Sequence, residues 1–106
     1  NRVVAVPSEA APLSATDLYQ VLETSDLPAG ALNIVTGQAA ELAPVLAAHN
    51  DVDAVWSAQA DTQDIIEQLS IGNLKRTWAV PEAILPARYR LSQAIQSKSI
   101  WIPFGE

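Results

Sequence analysis

Short apolar runs alternate along the chain with longer stretches in which apolar residues recur every three or four positions. The apolar runs are rich in β-branched residues and predict strands, and the periodic stretches predict helices. The predicted strands cover residues 2–6, 32–37, 52–56 and 76–79. The first of them has no polar alternation, which is typical of a strand buried on both faces of a parallel sheet.

Three amphipathic helices are predicted between these strands. The first follows Pro12, with Ser14 and Asp17 as a weak capping box. The second covers residues 39–48, with Pro44 in its first turn or at a kink. The third runs from Asp61 to Ile71 and ends at Gly72. The residues expected to face inward are Leu18, Val21 and Leu22 in the first helix, Leu42, Val45 and Leu46 in the second, and Ile65, Ile66 and Leu69 in the third.

Strands that alternate with helices of this length predict βαβ units with right-handed crossovers. The expected fold class is therefore α/β, with a mostly parallel sheet covered by helices. Pro81 and Pro86 bracket a connector that we expect to be irregular, and residues 89–96 are ambiguous. Residues 99–104 are rich in β-formers but end in Pro and Gly, which predicts a terminal strand at a sheet edge.

Composition narrows the classes of function. The chain has 106 residues and a mass of 11.3 kDa, enough for one small domain. Six Lys and Arg against 12 Asp and Glu give a charge of −6, so nucleic acid is not an expected partner. No apolar run approaches the roughly 20 residues of a membrane span. Cysteine is absent, which excludes a thiolate nucleophile within these residues, and the absence of methionine suggests a piece of a longer polypeptide.

Individual polar residues give weak signals of chemistry. His49 lies beside Asn50 and Asp51 and is either a general base or a turn residue at a helix end, and we favour the turn. Ser8 and Ser57 lie near strand ends but in no nucleophile elbow. The carboxylates lack the spacing of a calcium loop, and the glycines form no phosphate-binding motif. Three tryptophans are a ligand platform or, as we favour, core or interface anchors: Trp56, Trp78 and Trp101.

Four landmarks keep an order and spacing that resemble one known family. They are Val6-Pro7-Ser8-Glu9, the segment 27–37 (Leu-Pro-Ala-Gly-Ala-Leu-Asn-Ile-Val-Thr-Gly), His49 followed by Val52-Asp53-Ala54-Val55, and Asn73-Leu74-Lys75-Arg76. Over residues 1 to about 78 the chain resembles the coenzyme domain of aldehyde dehydrogenases. The resemblance implies a Rossmann-like parallel sheet with helices on both faces, of the type of that family's N-terminal domain.

The resemblance also identifies a coenzyme-binding candidate. In the family a lysine and a glutamate hold the adenosine ribose hydroxyls of NAD. The glutamate is kept here as Glu9, but Val6 stands at the lysine position. The family's Phe-Thr-Gly-Ser aligns with Trp56-Ser57-Ala58-Gln59, and Asp61 adds a negative charge where pyrophosphate would bind. We therefore expect Glu9 to be vestigial and this segment to hold no cofactor, with NAD or NADP bound elsewhere in the parent protein.

The catalytic groups of the family are missing. The general-base glutamate of its Glu-Leu-Gly-Gly-Lys motif aligns with Val80, and Glu82 and Ala83 replace the glycines. The family's nucleophilic cysteine lies in a separate catalytic domain. We expect no catalytic residue and no metal ligand in this chain.

The last residues are similar to the closing strand of aldehyde dehydrogenases, which belongs to an oligomerisation flap. The resemblance implies three regions: a degenerate coenzyme-domain-like unit (1–79), a connector (80–97) and an oligomerisation-type strand (98–106). It implies contact with the rest of a parent chain and with a second subunit, as a homodimer, and no nucleic acid or membrane partner. The expected location is cytoplasmic. The predicted interface residues are Ile100, Trp101, Ile102 and Phe104.

A coenzyme-like unit joined to such a tail looks like the degenerate C-terminal copy of the tandem-domain (family sixteen) aldehyde dehydrogenases. An alternative is that an intervening segment is missing from this chain near Ala79. The leading functional hypothesis is a non-catalytic, structural domain of a larger NAD(P)-dependent aldehyde dehydrogenase. The competing hypotheses are a residual NAD-binding domain that contributes to the parent's active site, and a regulatory module that binds another small molecule.

Overall fold

A computed structural model of the chain describes residues 1–80 and 85–103. Strands and helices alternate in the predicted order, and the last helix resolves the ambiguous stretch near residue 90. The strands are β1 (Val3–Ala5), β2 (Leu32–Ile34), β3 (Ala54–Ser57) and β4 (Arg76–Ala79). The helices are α1 (Pro12–Glu23), α2 (Ala39–Ala48), α3 (Ala60–Ser70) and α4 (Ala87–Ala94), with a 3-10 turn at Ile71–Asn73.

The strands pair in parallel, as the βαβ pattern predicts. β1 pairs with β2, with Val4 opposite Asn33, and β3 pairs with β4, with Trp56 opposite Trp78. Within residues 1–80 and 85–103 these are two separate two-stranded sheets, where the sequence predicts one continuous sheet. The radius of gyration is 16.5 Å, larger than the roughly 13 Å of a compact domain of about 100 residues. The chain is therefore less compact than a typical domain of its length.

A small core lies where α2 and α3 pack on β3. Ala47, Val55 and Ile66 are buried, and Ala43 and Val52 pack against them. The small residues of α2 let it approach α3 closely, and Ile66, 2% exposed, fills the space between the helices and the sheet. The prediction that Ile66 faces inward is confirmed.

Several predictions of burial are wrong. Val4 of β1 is 48% exposed, so this strand is not buried on both faces. None of the residues of α1 is buried. Val45, Ile65 and Leu69 are also exposed. Local sequence sets the strand and helix conformations, but burial needs a neighbouring layer, and the described residues provide none over these faces.

The helix ends also differ from prediction. α1 begins at Pro12, so Ser14 lies inside the helix and its hydroxyl donates to the carbonyl of Ala11 at 2.8 Å. Proline at the first helical position has a fixed φ that already suits the helix, which makes a capping box unnecessary. Pro44 lies in the interior of α2. α3 ends in a 3-10 turn, and the left-handed residue that follows is Leu74 (φ 54°), not Gly72.

The predicted terminal strand is absent from the described part of its range, residues 99–103. These residues are exposed, and a strand forms only where its backbone groups pair with another strand. Phe104 and the connector residues 81–84 lie outside the described residues. Strand formation by this segment in an assembly stays a prediction.

Candidate functional site

A cleft of about 210 Å³ lies at the carboxyl ends of β1 and β2. Parallel α/β sheets bind their ligands at this end of the strands, because the loops and helix N-termini meet there. Glu9, the predicted cofactor-binding residue, is in the cleft wall. The cleft is lined by Pro7, Ser8, Glu9, Pro12, Thr36, Gly37 and Gln38.

The carboxylate of Glu9 is bonded to the start of α2. Its Oε1 accepts a hydrogen bond from the backbone N–H of Ala39 at 2.7 Å. The N-cap residue Gln38 makes no side-chain cap of its own, so Glu9 satisfies one of the orphan N–H groups of this helix. A negative charge at a helix N-terminus is also stabilised by the helix dipole. Glu9 therefore joins the β1 loop to α2.

The other polar residues that line this cleft are Ser8, Thr36 and Gln38. Val6, at the family's lysine position, is half-buried and has no side-chain donor. Ser8 is used locally, because its hydroxyl accepts a bond from the N–H of Ala10 at 3.4 Å. Gly37 allows Leu42 to approach the backbone closely, since a Cβ built on the glycine would lie 3.0 Å from Leu42 Cδ1.

At the carboxyl end of β3, the hydroxyl of Ser57 bonds to the first residues of α3 and to the loop before it. Ser57 Oγ lies 2.9 Å from Thr62 Oγ1 and accepts a bond from the N–H of Gln59 at 3.1 Å. Gln59 is the N-cap of α3 and makes no side-chain cap bond, while Asp61 lies in the first turn. The carboxylate of Asp61 supplies the negative charge that this helix N-terminus favours, and it opposes the approach of a phosphate.

The position of the family's general base is apolar. Val80 follows β4, and its N–H donates to the carbonyl of Ser57 at 2.7 Å, so its backbone is part of the ladder. Its side chain has no atom that accepts a proton. Glu82 and Ala83 lie outside the described residues.

The motif at residues 73–76 has a structural role that sequence reasoning missed. The side-chain amide of Asn73 donates to the carbonyl of Ala47 at 3.1 Å, at the end of α2. Lys75 is only 9% exposed, and its ammonium donates to the carbonyls of His49 and Val52, the latter at 2.6 Å. No local signal marks these partners, because they lie more than twenty residues earlier in the chain.

The aromatic residues separate into two groups. Trp56 and Trp78, paired across β3 and β4, contact edge to face with ring centroids 4.8 Å apart, and Tyr89 of α4 lies 6.0 Å from Trp78. Trp78 thus contacts α4 through Tyr89, whereas Trp56 is 41% exposed and is not a core residue. Trp101 is apart from them and is 94% exposed. Its neighbours Ile100 and Ile102, also predicted interface residues, are 80% and 70% exposed.

His49 is a turn residue at the end of α2. Its Nδ1 accepts a hydrogen bond from the N–H of Asp51 at 3.1 Å. A second, wider cleft of about 710 Å³ runs along α3 and β4 beside Asp64 and Glu67. Lys75, which also lines it, has its ammonium turned to backbone carbonyls. Within residues 1–80 and 85–103 no three His, Asp or Glu side chains form a metal-binding group, and no helix is long and apolar enough to cross a membrane.

Comparison with known proteins gives a coherent set of relatives. The aldehyde dehydrogenase family matches residues 1–79. The chain is 38% identical over 80 residues to the NADP/NAD-dependent aldehyde dehydrogenase PuuC of Escherichia coli, which covers 74% of this chain and 16% of that protein. It is 31% identical over 77 residues to the betaine aldehyde dehydrogenase of Bacillus subtilis, covering 72% of this chain and 16% of that protein.

Solved structures give the same result. An aldehyde dehydrogenase from Bartonella henselae is similar with a TM-score of 0.63 and 32% identity, over 72% of this chain and 16% of that one. Aldehyde dehydrogenase C of Pseudomonas syringae, solved with NAD+ and octanal, has a TM-score of 0.64 and 32% identity over the same shares. The chain thus spans about a sixth of the length of these relatives, and its fold is that of their Rossmann-like domain.

Proposed function

Because the chain belongs to the aldehyde dehydrogenase family, we propose that it is a non-catalytic, structural part of a larger NAD(P)-dependent enzyme that oxidises an aldehyde to a carboxylic acid. Of the relatives named above, PuuC is NADP/NAD-dependent, and aldehyde dehydrogenase C of Pseudomonas syringae holds NAD+ in its structure. This chain contributes packing surface and assembly contacts to such an enzyme. The cytoplasmic location of the parent stays a prediction.

The observation that carries the proposal is the bond between Glu9 and Ala39. A ribose diol needs free acceptor atoms, and one carboxylate oxygen of Glu9 is engaged by the N–H of α2 at 2.7 Å. Val6 offers no donor to a second hydroxyl, and Asp61 opposes a phosphate at the start of α3. The two strand ends therefore offer a dinucleotide one oxygen of Glu9 outside the bond to Ala39, no side-chain donor at Val6 and a like charge at Asp61.

The absence of a proton acceptor at residue 80 supports the same proposal. Hydrolysis of an acyl-enzyme needs a general base, and an acyl-enzyme needs a nucleophile. The chain has Val80 where the family has its general base, and it has no cysteine to act as the nucleophile. Any catalysis belongs to residues beyond this chain.

The assembly role rests on the last residues. Ile100, Trp101 and Ile102 form an apolar stretch with exposures of 80%, 94% and 70%, and no described element pairs with it. An unpaired apolar segment of this kind adds as a strand to the sheet of a partner. We assign it, with Phe104, to contact with a second subunit in a homodimer, within a parent of the tandem-domain type.

Sedimentation velocity tests this assembly role. The full chain should sediment as a dimer, and Trp101→Glu or removal of residues 98–106 should give a monomer, because a charge at the centre of an apolar interface is costly to bury. Leu13→Glu is the matched control, since Leu13 is 74% exposed on α1 and lies far from this segment in sequence. An oligomeric state that Trp101→Glu leaves unchanged would contradict the role.

A residual coenzyme site is the second candidate. Glu9 still lies in a cleft at the carboxyl ends of two parallel strands, and its second oxygen is outside the bond to Ala39. This candidate requires saturable NAD binding that depends on Glu9. A titration of the chain with NAD separates it from the structural role.

A further inference from the structure

One edge of β4 has no partner strand within the part of the chain that the structure describes. On its other side β4 pairs with β3, and the N–H groups of Arg76 and Val80 donate to β3 carbonyls at 3.2 and 2.7 Å. Alternate residues of a parallel strand direct their backbone groups to the same neighbour. The N–H and C=O groups of Thr77 and Ala79 therefore face away from β3, and no described strand pairs with them. We call this side of β4 its open edge.

The cleft of about 710 Å³ lies next to the open edge of β4. Its described lining residues belong to α3, to the turn that follows α3 and to the segment that leads into β4, and none belongs to α2 or β3. Since α2 packs on α3 and on β3 through the small core, the cleft lies on the other side of α3. It is therefore on the face of β4 that α3 covers, beside the unpaired backbone groups.

The cleft is acidic towards one end of β4 and apolar towards the other. Asp64 and Glu67 lie on α3, and Lys75, the cation in the wall, has its ammonium bonded to backbone carbonyls. The exposed side chains of Ile71 and Leu74 follow α3 and lie at the amino end of β4. A crossover helix runs opposite to the parallel strands that it joins, so the carboxylates lie nearer the carboxyl end of β4. An occupant needs a cation at one end and apolar side chains at the other.

The opposite face of β4 has an aromatic cluster that is only partly covered. Trp78 contacts Trp56 edge to face, and Tyr89 lies 6.0 Å from Trp78. Both Trp56 and Tyr89 are exposed. Because successive side chains of a strand point to opposite faces, Thr77 faces the cleft and Trp78 faces these rings. A strand added at the open edge thus has the cleft on one face and aromatic rings on the other.

We propose that the tail (residues 98–102) of a second copy of this chain adds as an antiparallel strand to the open edge of β4, reciprocally in a dimer. The inference rests on the assembly role proposed above and identifies the strand that accepts the tail. Alternation places Lys98, Ile100 and Ile102 on one face of the added strand and Trp101 on the other. The first set matches the acidic and apolar cleft, and Trp101 matches the aromatic cluster.

Charge sets the direction of the added strand. Lys98 and Ile102 are four positions apart, or roughly 14 Å in a strand, which is close to the length of β4. In the antiparallel direction Lys98 lies beside Asp64, and Ile102 lies beside Leu74. The parallel direction would place the ammonium among apolar side chains, where a charge is costly to bury. Pro103 follows the tail, and proline is tolerated in an edge strand.

Hydrogen exchange measured by NMR on the full chain tests which strand accepts the tail. In the dimer the amides of Thr77 and Ala79 should exchange at least about tenfold more slowly than in the Trp101→Glu variant, because they gain carbonyl partners. This protection should rise with protein concentration. The amide of Val80, bonded to the carbonyl of Ser57 at 2.7 Å, is the internal control and should exchange equally in both proteins.

Charge reversal tests the contact between the tail and α3. Lys98→Glu and Asp64→Lys should each weaken the dimer about tenfold in sedimentation equilibrium, because an attraction at two symmetric contacts becomes a repulsion. The double variant that carries both substitutions should recover the dissociation constant of the unsubstituted chain. Asp17→Lys, an exposed reversal on α1, is the matched control and should neither weaken the dimer nor rescue Lys98→Glu.

Three results would overturn this inference. A dimer without protection at Thr77 and Ala79 would mean that the tail binds elsewhere, and the assembly role would then stand alone. Protection that does not depend on protein concentration would make the chain's own tail the occupant. A double charge reversal that dimerises no better than Lys98→Glu would exclude the contact with Asp64. Absence of any dimer would remove the assembly role as well, so the two failures are distinguishable.

Discussion

The carboxylate of Glu9 caps α2 through the N–H of Ala39, a contact of 2.7 Å between residues thirty positions apart. In the family that this chain resembles, the glutamate of this motif holds a ribose. Here one of its oxygens accepts a hydrogen bond from a backbone N–H that no local sequence pattern predicts. The same side chain thus links the loop after β1 to α2, the helix that precedes β3.

Loss of this cap should destabilise the chain. Glu9→Ala should lower the free energy of unfolding by about 1 kcal/mol, because an N–H at the start of α2 loses its acceptor. Glu9→Gln keeps an acceptor oxygen and should cost less. Urea unfolding followed by circular dichroism measures both. Glu41→Ala, which removes an exposed first-turn charge of α2 that is outside this contact, is the control. Equal free energies of unfolding for Glu9→Ala and the unsubstituted chain would contradict the capping role.

Lys75 should matter more for stability than its charge suggests. The residue is 9% exposed, and its ammonium donates to the carbonyls of His49 and Val52 at the turn between α2 and β3. Lys75→Met removes this donor from both carbonyls and leaves the carbonyl of His49 only the 3.3 Å bond from the N–H of Val52, so it should cost about 2 kcal/mol. Arg88→Met removes an exposed cation on α4 and should have little effect. A midpoint of urea unfolding that is the same in both variants would exclude this anchoring role.

Two glycines offer a matched comparison of backbone conformation. A Cβ at Gly30 or at Gly72 would meet no atom within 4 Å, but only Gly30 has a positive φ, of 77°. Gly30→Ala should destabilise the chain by about 1 kcal/mol, because a left-handed alanine is strained. Gly72→Ala should stabilise it by about 0.5 kcal/mol through a less flexible unfolded state. Thermal unfolding of the pair measures the difference, and the opposite order would contradict the assignment of φ.

Local patterns of side-chain type predicted the strands and helices of the chain. The β-branched run at residues 3–5 and the apolar run before Gly37 form β1 and β2, since side-chain shape and alternation act within a few residues. The class of fold follows from the βα alternation. Glu9 was identified through its motif and lies in the predicted strand-end cleft.

Contacts made across the chain were not predictable in the same way. No local pattern predicted the contacts of Lys75, because its carbonyl partners lie more than twenty residues away in the sequence. Val4 was predicted to be buried but is exposed, because burial depends on a neighbouring layer that the described residues do not supply. The left-handed Leu74 took the place expected for Gly72, because the 3-10 turn moved the end of the helix.

A titration of the chain with NAD, followed by tryptophan fluorescence up to millimolar coenzyme, tests the central claim most directly. Cooperative thermal unfolding of the same sample establishes that the chain is folded. The account predicts no saturable change, because Glu9 is engaged by Ala39 and Val6 has replaced the lysine. Saturable binding that Glu9→Ala abolishes would contradict it and would make the cleft a working coenzyme site.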